Sequence, residues 1–181
     1  MADVRNRVGD AYERKCILLF SRRCYMQINK SSRHSKITGD FAEGLVLYWL
    51  SKYGFECANV DHTGIDIISR NPRTQEIMGI SVKSRSRNEG KEGQYVSISN
   101  DNFQKAEIAC NTFGCIPYFA IVVDEGEDIL IFILSMDKLL TLSPKGKTCV
   151  SWKMGQKNIL QYKSDPEIKM AVFKHQTLSW W

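Results

Sequence analysis

Gly64-Ile65-Asp66-Ile67-Ile68 and, after one turn, Gly79-Ile80-Ser81-Val82-Lys83 are the two stretches from which the fold is read. Both carry β-branched residues, and turn signals bound them: Thr63-Gly64 before the first and Asn71-Pro72 between them. They therefore read as neighbouring strands. Period-two alternation places Gly79, Ser81 and Lys83 on one face of the second strand and Ile80 and Val82 on the other. Asp66 interrupts an otherwise apolar run. A carboxylate buried there alone is strongly disfavoured, so a cation or metal is expected beside it.

Upstream, Phe55 to Val60 supplies a first strand, making a short meander with Gly64 to Ser69 and Glu76 to Ser84. Before it, Ala42, Leu45, Val46, Trp49, Leu50 and Tyr53 form one apolar stripe at helical spacing. Thr38 is the expected N-cap, Asp40 lies in the first turn, and Gly54 stops the helix. Glu43 sits on the flank of the stripe, at the border of the buried face.

Downstream, residues 85 to 93 read as a mobile loop, Tyr95 to Ser99 as a strand, and Asn100 to Phe113 as a helix closed by Gly114. Ile116 to Val123 is continuously apolar, which implies burial on both faces. An acidic turn, Asp124 to Asp128, leads to a second such strand, Ile129 to Leu134, and Ser135 caps a short helix to Leu142. Beyond Pro144 the pattern decays into Gly- and Lys-rich segments with Trp152, Tyr162, Trp180 and Trp181. These are expected to form an irregular extension packed on the body, so the chain divides into residues 1–37, 38–143 and 144–181.

The chain has 181 residues, 43% hydrophobic and 25% charged, which fits one globular domain and neither a disordered nor a fibrous protein. No apolar run approaches the roughly 18 residues of a membrane span. Six cysteines without a Cys-x-x-Cys pair, and three histidines away from them, argue against structural zinc and for an intracellular, cytoplasmic protein with reduced thiols. The net charge is +5, but residues 1–36 hold nine basic and three acidic residues, leaving the remainder at −1. A basic segment on a nearly neutral body points to an anionic partner, nucleic acid before a membrane surface. Within residues 1–30 a weak helical pattern competes with two paired strands around Arg22-Arg23, and the sequence leaves both open.

If the hairpin sets Asp66 beside Ser81 and Lys83, and the helix packs its stripe on this sheet, then Glu43, Asp66 and Lys83 converge. Two carboxylates with a strand carbonyl offer hard oxygen donors for Mg²⁺ or Mn²⁺. A nearby lysine orients or deprotonates water, and the set suits phosphodiester hydrolysis.

Gly39-Asp40-Phe41-Ala42-Glu43, Gly64-Ile65-Asp66-Ile67-Ile68 and Ile80-Ser81-Val82-Lys83-Ser84-Arg85 together resemble the PD-(D/E)XK nuclease superfamily. The resemblance implies a restriction-endonuclease-like α/β core, a central mixed sheet flanked by helices, over about Thr38 to Leu134, with N- and C-terminal extensions. It implies that Glu43 and Asp66 are metal ligands, that the Val82 carbonyl completes the inner shell, and that Lys83 is the catalytic lysine. Ser81 stands where the family pattern has Asp or Glu, which weakens metal affinity or shifts it onto Glu43. Arg85, Arg87 and Lys91, with Asn102 and Lys105 at the start of the second helix, are the candidate phosphate contacts. The expected activity is metal-dependent DNA endonucleolysis by a homodimer. The alternative is a catalytically inactive nuclease-fold module that only binds nucleic acid.

Overall fold

The computed structural model describes residues 29–88 and 90–176. Most of the basic N-terminal segment, with its unresolved choice between helix and strands, and Trp180 and Trp181 lie outside the described residues. Helix α1 (His34–Lys52) leads into β1 (Glu56–His62), β2 (Ile65–Arg70) and β3 (Ile77–Ser86). Then come β4 (Val96–Ser99), α2 (Asn100–Phe113), β5 (Ile116–Glu125) and β6 (Asp128–Ser135). The chain continues through α3 (Met136–Leu142), β7 (Cys149–Trp152), α4 (Gln156–Ser164) and β8 (Lys169–Lys174). Six strands form one sheet in the order β1-β2-β3-β5-β6-β8, while β4 and β7 pair separately. β3 and β5 run parallel and the other neighbours antiparallel, so this is a mixed sheet flanked by helices.

The continuous apolar runs have a simple cause. Along β5, Ala120 and Val122 pack under α1 with Ala42, Val46 and Leu50. The alternate residues Phe119, Ile121 and Val123 enter a second core with Phe103 and Ala106 of α2 and Trp152 of β7. β6 divides its side chains the same way, Ile131 and Ile133 to the first core and Leu130, Phe132 and Leu134 to the second. A strand buried on both faces has no polar alternation to show.

Two expectations need correction. The first helix begins at His34 rather than Thr38: the His34 amide donates to the Ser31 carbonyl, and Lys36 pairs with Asp40 one turn on, at 3.1 Å. Thr38 is therefore interior, and its hydroxyl donates to the His34 carbonyl at 2.8 Å instead of capping. The segment after Pro144 is not irregular. β8 forms an edge of the main sheet, β7 pairs with β4, and Trp152 stacks on Tyr162 of α4 with ring centroids 3.9 Å apart. No helix among the described residues is long and apolar enough to cross a membrane.

Candidate active site

The β2–β3 ladder runs from Arg70↔Ile77 to Ile67↔Ile80. Beyond that pair the main chains are no longer matched, and the Val82 amide donates to Asp66 Oδ2 at 2.6 Å. A side chain has taken the acceptor role that a strand carbonyl would have filled. The bond fixes the Asp66 carboxylate at the point where β2 leaves β3. Two residues before Asp66, Gly64 has φ +111°, and a Cβ there would lie 2.3 Å from the Lys105 carbonyl oxygen. Only glycine allows this turn to press against α2.

β3 presents Met78, Ile80 and Val82 to α1, so Gly79, Ser81 and Lys83 face the α2 side. Gly79 marks that side directly, because a Cβ on it would meet Cys110 Sγ at 2.5 Å. Glu43 comes from α1, beside the fully buried Ala42. Burial pushes the Glu43 carboxyl up, and the Asp66 carboxylate pushes it further. Burial holds the Lys83 ammonium below the usual lysine range, with Asp66 and Glu43 opposing and Arg85 and Lys105 reinforcing the shift. Glu43, Asp66 and Lys83 therefore share one locality. Among the described residues Lys83 makes no ion pair with Asp66 that would explain either as a simple sheet brace.

Ser81 is 1% exposed and contributes no charge. Glu76 offers no replacement: it precedes β3 at the far end, where burial and then a hydrogen bond with Glu76 push the Tyr118 hydroxyl up to about 12. Among the described residues no group of three or more His, Cys, Asp or Glu is placed to hold a metal.

The candidate phosphate contacts separate. Arg85 is exposed and reaches the Ser97 carbonyl at 3.0 Å. Lys105 is exposed on α2 and close enough to Lys83 to depress its proton affinity. Lys91 is exposed in the loop after β3, and the Asn102 amide donates to the Ser99 carbonyl at 3.4 Å. Arg87 is turned inward: its Nε lies 3.4 Å from Glu125, with both side chains 9% exposed, and its Nη2 donates to the Gln94 and Tyr95 carbonyls. It braces the loop, and little of it remains for a phosphate.

The sequence reading passed over Lys145 and Lys147. Asn100, the first residue of α2, donates its side-chain amide to the Gly146 and Lys147 carbonyls at 3.1 and 3.4 Å. The Lys145 ammonium stands 5.5 Å from the Phe103 ring centroid. The basic loop is thus pinned to the same helix end as Lys105. The Lys-Gly-Lys pattern was visible, but nothing in it told which element it would reach.

The charge distribution makes a stability prediction. Because the folded Glu43 pKa is raised, its contribution is most favourable below the unfolded value and is lost as pH rises through the folded one. Glu43→Gln is therefore expected to raise the melting temperature at pH 7, with the gain vanishing as pH falls toward the ordinary carboxyl range. Thermal unfolding of both proteins across pH checks this, and a loss of stability at pH 7 would contradict it.

No described protein family and no curated protein matches this chain. Among solved structures, it is similar to Archaeoglobus fulgidus Hjc, a Holliday junction resolvase from an archaeal hyperthermophile. That similarity has a TM-score of 0.49 at 19% identity, over 68% of this chain and 93% of that one.

Proposed function

We propose that the protein is a metal-dependent nuclease, and more particularly an endonuclease that hydrolyses DNA phosphodiester bonds. The observation that carries this reading is the Asp66 carboxylate, pinned by the Val82 amide where β2 and β3 part, with Glu43 and Lys83 in electrostatic reach. Glu43, Asp66 and the Val82 carbonyl would hold Mg²⁺ or Mn²⁺. The donor set fits, because each oxygen is hard and the Asp66 carboxylate raises the proton affinity of Glu43, a repulsion that a divalent cation relieves. With Ser81 neutral, the protein supplies two carboxylates, and Mg²⁺ commonly keeps several of its waters. What a bound cation adds at such a site is a lowered water pKa and neutralisation of charge on the phosphate oxygens.

The chain's own residues do the rest. Lys83, with its proton affinity depressed, is suited to accept a proton from the attacking water. Asp66 cannot swing away while it holds the Val82 amide. Arg85, Lys105, Lys145 and Lys147 offer phosphate contacts around the site, and a row of such contacts makes affinity fall with salt. Changing both Lys145 and Lys147 to glutamate is expected to weaken DNA binding about tenfold or more at low salt and to flatten the salt dependence. Anisotropy titrations over a salt series measure this, and an unaltered slope would remove the loop from the interface. One site cuts one strand, so duplex scission favours a homodimer whose two-fold axis matches that of DNA.

The buried Ser81 favours a second reading, a DNA-binding module without chemistry. Cleavage assays with Mg²⁺ or Mn²⁺ on wild type and on Asp66→Asn separate the two. Asparagine retains an acceptor for the Val82 amide and removes the charge, so the nuclease loses cleavage while keeping its fold. A binder shows salt-sensitive affinity and no scission in either protein.

A further inference from the structure

After Lys83, β3 continues through Ser84 and Ser86 with no partner in β2, and the first turns of α1 lie over it. Between them is a cavity of about 140 Å³. Its lining includes His34, Ile37 and Phe41 from α1, Ser84 and Ser86 from β3, and Asp124 from β5. Ala42 and Ser84, which both line it, are the chain neighbours of Glu43 and Lys83. Along both elements the cavity is one residue from the proposed reaction centre, on the α1 face of β3, whereas the Lys83 side chain faces α2.

Its chemistry is selective. Phe41 and Ile37 leave 49% and 54% of their surface exposed at the mouth, an aromatic and an aliphatic wall without cover. His34 Nε2 is buried and finds no hydrogen-bond partner among the described residues. Asp124 accepts from the Ser86 hydroxyl at 3.1 Å, and its other oxygen lies 3.2 Å from His175 Nε2. The carboxylate in the lining accepts from an N–H donor, and Arg85, which also lines the cavity, directs its guanidinium to the Ser84 and Ser97 carbonyls. Lys30 holds the rim, donating to the Ser86 carbonyl and hydroxyl. The volume is close to the roughly 150 Å³ at which an engineered apolar cavity takes up benzene, so it suits one ring. A planar aromatic heterocycle with N–H donors and ring acceptors meets all of these conditions, and a nucleobase is such a group.

We propose that this cavity receives an unpaired nucleobase, a pyrimidine by size, from the nucleotide next to the scissile phosphate. The preferred substrate is then DNA with an unpaired base beside the cut rather than uninterrupted duplex. The proposal rests on the nuclease reading and deepens it. Phe41 provides the stacking face, and His34 Nε2 and Asp124 face the edge of the base.

The test uses the full chain carrying Lys83→Met, so that binding is read without cleavage. Its affinity is measured by anisotropy for an uninterrupted duplex, the same duplex with one bulged cytosine, and one with a bulged abasic site. The bulged cytosine is expected to bind about tenfold tighter than the abasic bulge, the scale of one base–aromatic stack. Phe41→Ala is expected to close that gap, and because Phe41 is half exposed the fold tolerates the change. His34→Ala should narrow the gap as well. Equal affinity for the two bulged duplexes overturns the base pocket while leaving the nuclease reading intact. No affinity for any of the three duplexes overturns both.

Discussion

Lys83→Met is expected to lower DNA cleavage by about 10²–10⁴-fold, the usual contribution of one positioned proton-transfer group. The same variant should melt no lower than wild type. Methionine keeps the long apolar stem that packs on the α2 side, and it removes an ammonium whose burial already disfavours its charged form. Because the folded Lys83 pKa is lowered, its contribution to stability is fully present above the unfolded value and is lost as pH falls through the folded one. Charging Lys83 is therefore a burden on the fold that the two neighbouring carboxylates ease only in part, and the proposed proton-transfer role gives that burden a use. Single-turnover cleavage and thermal unfolding of the one variant test both halves. Cleavage at the wild-type rate would remove Lys83 from the mechanism, and a large fall in melting temperature would return it to a structural role.

Gly64→Ala is expected to produce the largest loss of stability of any single methyl addition near the site. The added Cβ would sit 2.3 Å from the Lys105 carbonyl oxygen and 2.5 Å from its carbon, both backbone atoms of α2. The residue would also be held at φ +111°. Backbone strain and overpacking cost about 1–3 kcal/mol each, and here neither relieves the other. For a domain of this size that corresponds to a melting-temperature drop on the order of 10 °C. The loss should reach function, because Gly64 sets where β2 begins and so where Asp66 stands relative to Lys83. A melting curve within 2 °C or so of wild type would show that α2 recedes from the turn at little cost.

How much of this was legible beforehand depended on the range of the interactions involved. β5 and β6 announced themselves because their side chains enter two cores, and α2 ended where Gly114 adopts the left-handed conformation at φ 64°. Ser135 capped α3 as its position implied, accepting from the Lys138 amide at 3.2 Å. Glu43, Asp66 and Lys83 were visible as charged residues bordering apolar patterns. The bond between Asp66 and the Val82 amide was not, since it exists only where the ladder opens, and no local pattern encodes that divergence. Arg87 looked like its neighbour Arg85, yet its role follows from Glu125, a residue 38 positions away across the sheet. β7 and β8 were missed for the same reason. Their partners, β4 and β6, lie far off in sequence, and short strands carry too little alternation to be read alone.

The start of α1 shows the opposite error. Residues 29–37 read as a linker or flexible arm because they are polar and Ser-rich, whereas the helix gains its first turn from the Ser31 carbonyl and the Lys36–Asp40 pair. That extra turn carries His34 and Ile37 over the end of β3 and forms the cavity on that face of the sheet.

Strand scission by the wild-type full chain, measured on supercoiled plasmid with Mg²⁺ or Mn²⁺ and again with EDTA, tests the central claim most directly. The account predicts nicked and linear products with either cation and none after chelation. Salt-sensitive binding of the plasmid without scission under any of these conditions would contradict it.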